Sequence, residues 1–106
     1  MVKETSTTPL LGIPPDRSVA MHTRGHAYYG TTCDFGAGTA CDKAGRWAAR
    51  RLITPRAFLE AAREEPCTHT IAAALNVTRS DVLHYLADLS VDEWLIMQRL
   101  IGHELR

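Results

Sequence analysis

Two histidines, His22 and His26, stand four residues apart in the stretch MHTRGHAYYG. On a helix, positions i and i+4 point the same way about one turn apart, so both imidazoles can reach a common metal at about 2.0–2.1 Å. That is the chemistry the residue types suggest first. The spacing alone is weak, because any helix can carry such a pair as hydrogen-bonded interior histidines or as a surface pair. What the histidines do therefore depends on the elements around them.

The chain has 106 residues with 12 Lys plus Arg against 12 Asp plus Glu, 45% apolar residues and seven aromatics. These values fit one folded domain with a small core and exclude a collagen-like or wholly disordered chain. A net charge of zero argues against an electrostatic nucleic-acid binder. Residues 1–53 carry seven basic and four acidic residues, whereas residues 54–106 carry five and eight, a mild split that reads as two solvated faces. Three cysteines without a leader-like segment make a disulfide framework improbable and predict a reducing cytoplasm. No window is apolar enough to be a membrane span.

The pattern predicts a mainly α fold, a bundle of five to six helices, over residues 16–106, preceded by a flexible tail at residues 1–15 that closes with Pro14-Pro15. Asp16 is placed to cap a first helix whose inward face is Val19, His22, His26 and Tyr29, ended by Gly30. Thr39 starts a second helix with Cys41, Ala44, Ala48 and Leu52 inward and Trp47 beside them. Thr54 and Pro55 open a third, with Phe58, Ala61 and Ala62 inward and Pro66 as its stop. Residues 70–89 read as two short helices about Asn76, the second begun by a capping box of Thr78 and Asp81. Ser90 and Glu93 form another capping box for a last helix at residues 91–105. Its apolar residues cover more of the circumference than one core-facing stripe requires, so part of it is expected to be a protein interface.

Three segments then carry a resemblance: RSVAMHTRGHAYYG, CDKAGRWAARRLITPRAF and IAAALNVTRSDVLHYLADL, in that order. Together, over about two-thirds of the chain, they resemble the ImmA/IrrE family of zinc metallopeptidases. There, R-x-x-L-A-H-E-x-x-H is followed by E-x-x-A-[ND]-x-[WF]-A-A-x-x-L-[IM]-P and then by a helix pair. The resemblance implies zinc held by His22 and His26, with Cys41 where the family has its carboxylate ligand; a one-residue shift would recruit Asp42 instead. It puts Thr23 at the position of the glutamate that activates water. Only about sixteen residues precede the histidine helix, so the family's small N-terminal sheet is expected to be missing or minimal. Such enzymes cleave helix-turn-helix repressors in phage, mobile-element and stress-response circuits, so the implied partner is a transcriptional regulator.

The departures from the pattern bear on mechanism. A zinc hydrolase needs a base for the water's proton, and Thr23 cannot supply one; losing a general base costs about 10² to 10⁴ in rate. Asp34 and Asp42 are the nearby carboxylates. The expectation is thus a degenerate or weakly active metallopeptidase-like protein. Cysteine is a good zinc ligand, and His22, His26 and Cys41 would leave an open position, whereas adding Cys33 would close the site and make it structural. The plain alternative is that Cys33 and Cys41 are small buried apolar residues beside core histidines.

Two readings from other classes stand beside this one. Residues 70–89 fit a helix-turn-helix template, with Arg79, Ser80 and His84 where base or phosphate contacts would lie, although the acidic C-terminal half disfavours DNA. A non-enzymatic adaptor, or a homodimer through the C-terminal helix, is the other.

Overall fold

The computed structural model describes residues 16–33, 39–102 and 105. The tail expected at residues 1–15 and the carboxylate candidate Asp34 lie outside them. Six helices follow in chain order: α1 Asp16–Tyr29, α2 Thr39–Leu52, α3 Pro55–Glu64, α4 Thr68–Leu75, α5 Arg79–Asp88 and α6 Val91–Ile101. No strand occurs among the described residues, and the mainly helical bundle read from the sequence is the fold.

The helix ends follow local chemistry. Thr54, Thr78 and Ser90 each accept a hydrogen bond from a backbone N–H of the first turn, and the last two complete capping boxes with Asp81 and Glu93. Asn76 ends α4 in the left-handed conformation at φ 56°, which its short polar side chain tolerates. At the C-terminus the helix stops earlier than the expected residue 105. Gly102 takes φ 78° and its N–H caps the Gln98 carbonyl, so the chain leaves the axis after Ile101.

Tyr85, Phe58, Ile53, Ile71 and Val82 are the largest fully buried side chains, and they join α2 to α6 into one apolar cluster. Each such side chain contributes about 1.5–3 kcal/mol on burial. Phe58 and Tyr85 meet with ring centroids 5.1 Å apart at the centre. The inward stripe of α2 is the one expected, extended by Gly45 and Ala49.

The face of α1 differs from expectation. Its buried residues are Ser18, Gly25 and His26, with His22 half-buried, whereas Val19 and Tyr29 are exposed. The cause is the closeness of α1 to α2: a Cβ on Gly25 would lie 2.6 Å from the Ala44 carbonyl oxygen, so the contact stripe runs through the glycine and leaves larger neighbours outside. The Ser18 hydroxyl also donates to the Asp81 carboxylate at 2.5 Å, fastening α1 to the start of α5.

Arg50 ties α2 to α6 through Glu93 at 3.1 Å and lies 3.8 Å from Asp88. The Ser90 backbone N–H, and then the Arg50 guanidinium, hold the Glu93 carboxyl below its usual value of 4.5. A carboxylate depressed in the folded state adds stability that is present above the unfolded value and lost as the pH falls below it. Between about pH 6 and pH 3, the melting temperature of the wild type is expected to fall more than that of Glu93→Gln. Parallel melting curves would show that this contact does not link pH to stability.

Candidate metal centre

The geometry of α1 and α2 assembles four donors from three places in the chain. His22 and His26 project from adjacent turns of α1, Cys41 from the first turn of α2, and Cys33 from the stretch after α1. Their ligating atoms all lie within 4.8 Å of one another. His26 Nε2 is 3.0 Å from His22 Nε2 and 3.5 Å from Cys41 Sγ, while Cys33 Sγ is 3.6 Å from Cys41 Sγ and 4.0 Å from His22 Nε2. A sulfur–sulfur separation of 3.6 Å is far from the roughly 2.05 Å of a disulfide, and the cysteines are unbridged. The group can hold a metal ion.

Burial is graded across the cluster. Cys41 and His26 are each 4% exposed, His22 is half-buried and Cys33 is at the surface. Burial, reinforced by the neighbouring His26, lowers the His22 pKa and favours the neutral imidazole that a metal requires. The other nitrogen of His26 is also engaged: Nδ1 lies 2.9 Å from the Thr31 hydroxyl oxygen. With a metal on Nε2, Nδ1–H would donate to Thr31, which fixes both the tautomer and the ring plane. Sequence reasoning missed Thr31, although a hydroxyl five residues beyond the second histidine, just past the Gly30 turn, was the available signal.

The remaining candidates fall outside the cluster. Asp42 is exposed, 3.2 Å from Arg46 and 3.8 Å from His84, and is not among the grouped donors. Thr23 is exposed, with its hydroxyl donating to the Val19 carbonyl at 3.0 Å. Among the described residues no carboxylate joins the four donors.

Of the residues read as DNA contacts, Arg79 and Ser80 are exposed and His84 is half-buried. His84 is half-buried against α2, so close that a Cβ on Gly45 would lie 2.5 Å from its ring. Ser80 Oγ is 3.5 Å from the His84 ring, and Arg79 donates to the Thr68 hydroxyl at 3.0 Å. Packing of α5 on α2 buries Asp81, Val82 and Tyr85 and seats His84 beside Gly45. Three of the four basic residues of α2 are also engaged: Arg46 by Asp42, Arg50 by Glu93, and Arg51 by the Trp47 ring 3.7 Å below its guanidinium.

No helix among the described residues is long and apolar enough to cross a membrane. The chain matches no protein-family model, no curated protein and no solved structure.

Proposed function

We propose that this chain is a non-catalytic, zinc-stapled relative of the ImmA/IrrE metallopeptidases. In this reading it works in the cytoplasm by binding a transcriptional regulator of a phage, mobile-element or stress-response circuit. The convergence of His22, His26, Cys33 and Cys41 carries the proposal. From ordinary Zn–N and Zn–S lengths, a tetrahedral site has edges of about 3.3 Å between nitrogens, 3.6 Å between nitrogen and sulfur and 3.8 Å between sulfurs. Four of the six edges, at 3.0, 3.5, 4.0 and 3.6 Å, scatter about those values, and all six lie within 4.8 Å. Two thiolates also cancel the charge of Zn²⁺, so the site can sit half-buried without a carboxylate partner.

A set of four protein ligands leaves no open position for a water or a scissile carbonyl, and zinc in such a site supplies folding energy rather than Lewis acidity. The regulator as partner comes from the resemblance, and the closed donor set supports binding without cleavage. The test mixes the purified chain with a purified helix-turn-helix repressor and follows both complex formation and repressor length. Capture of intact repressor is the expected result. Cleavage would overturn the non-catalytic part, and the absence of both would overturn the regulator as partner.

Two variants sharpen the chemistry. Thr23→Glu restores the family's histidine motif, yet is expected to leave peptide hydrolysis at the uncatalysed level because the fourth ligand still fills the site. Measurable turnover with that variant would mean that Cys33 leaves the metal. Thr31→Val should weaken zinc binding about 10- to 100-fold by releasing the His26 ring, as read by competition with a chromophoric chelator. Unchanged affinity would show that the Thr31 contact does not orient the ligand.

A further inference from the structure

Only Met97 and Ile101 of α6 are buried, with Trp94 beside them, and the opposite face is an ordered mixture of apolar and charged side chains. Val91 is 74%, Leu95 54%, Ile96 61% and Leu100 48% exposed, and Asp92 and Arg99 are exposed between them. At 100° per residue, Asp92 and Arg99 fall on the line farthest from the core, with Leu95 and Ile96 on either side of it. Among the described residues neither Asp92 nor Arg99 has an ion-pair partner in its own chain.

The order of these residues is self-complementary. About the midpoint between Leu95 and Ile96, Asp92 and Arg99 are equidistant in opposite directions, and so are Val91 and Leu100. A two-fold axis through that midpoint, perpendicular to the helix, lays a second α6 antiparallel on the first. Asp92 of each copy then faces Arg99 of the other, Leu95 and Ile96 meet their counterparts at the axis, and Val91 and Leu100 close the margins. Such an isologous contact uses one patch twice. A parallel pairing would instead put Asp92 against Asp92 and Arg99 against Arg99. On the Ile96 and Leu100 side, Pro55, Leu59 and Leu89 continue the apolar surface as a groove.

We infer that α6 is a homodimer interface in which a second copy of this chain packs antiparallel across the Leu95–Ile96 midpoint, with its register set by two symmetry-related Asp92–Arg99 pairs. A contact confined to one helix face per copy is a small one, so the dimer is expected to be weak and its population to rise with concentration. The inference uses none of the metal ligands and stands apart from the function proposed above.

Sedimentation equilibrium of the full chain over a range of concentrations tests it. The wild type is expected to show a monomer–dimer equilibrium. Asp92→Arg alone and Arg99→Asp alone each place like charges across the axis twice and should raise the dissociation constant by about tenfold or more. The double variant D92R/R99D restores the opposition with signs reversed and should recover dimerisation, and a mixture of the two single variants should form a heterodimer. Ile96→Glu, at an exposed position, should abolish association, with far-ultraviolet circular dichroism reporting that the helices are intact. A wild type that is monomeric at every concentration would overturn the interface, and so would one whose association survives Ile96→Glu. Failure of the double variant to recover while both single variants are impaired would overturn the antiparallel register.

Discussion

Stripping the metal with a chelator is expected to lower the melting temperature by roughly 15–30 °C, the largest effect predicted for this protein. The expectation follows from linkage. A ligand that binds only the folded chain at a thousand times its dissociation constant contributes about 4 kcal/mol, and each kcal/mol shifts the midpoint of a domain this small by roughly 4–8 °C. Among the described residues α1 has no fully buried large apolar side chain, and its inward positions are Ser18, Gly25 and His26 with half-buried Met21 and His22. A metal would add to the Arg17 bond to the Leu52 carbonyl and the Tyr28–Trp47 stack in holding α1 to α2. Cys41→Ala should give the low-melting form even with zinc present, because Cys41 is the most buried thiol and opens the adjoining helix. Matching melting curves with and without chelator, together with less than about one zinc per chain by elemental analysis, would eliminate the zinc staple.

The second large effect is expected at Gly25. Alanine normally stabilises a helix interior by about 1 kcal/mol relative to glycine. Here the new Cβ would meet the Ala44 carbonyl oxygen at 2.6 Å and the Ala44 Cα at 3.0 Å, both backbone atoms that cannot swing aside. Gly25→Ala is therefore expected to reverse the usual sign and destabilise by about 1–3 kcal/mol, the range for overpacking. It should also weaken zinc binding, because moving α1 outward separates its histidines from Cys41. Gly45→Ala is the control. The three atoms nearest its Cβ would all belong to the His84 ring, at 2.5–2.9 Å, a side-chain end that can shift where backbone cannot, so the change should be smaller in both stability and metal affinity. Equal behaviour of the two variants in chemical denaturation would mean that the α1–α2 spacing does not control the site.

Much of the architecture was legible because it rests on local chemistry. Thr54, Thr78, Asn76 and Ser90 mark helix ends by bonds made within a few residues, and those marks hold in the structure. The inward stripe of α2 was equally readable, since small and apolar residues recur at helical spacing. The face of α1 was not. Hydrophobic periodicity assigns Val19 and Tyr29 to the interior, but the helix docks through a glycine and polar groups, which the rule of apolar burial cannot anticipate. The half-burial of His84 has a related reason: its place against Gly45 depends on how α5 crosses α2, a tertiary distance that no spacing encodes. The juxtaposition of Cys33 with Cys41 depends on that kind of information too. The sequence names both residues and leaves open whether they share a site with the histidines.

The polar underside of α1 has a consequence for the order in which the molecule assembles. The apolar cluster joining α2 to α6 can form without help from α1 beyond Met21, whereas α1 is fastened through Arg17, Ser18, Gly25, the histidines and a Tyr28–Trp47 ring stack. Its amides should exchange with solvent as one cooperative unit at a lower opening free energy than those of α2 or α5. Metal would close that unit last. Detachment of α1 would uncover the alanine-lined back of α2 while the remaining helices kept their packing, so an otherwise folded protein could pass between a sealed and an open form at a rate set by metal exchange.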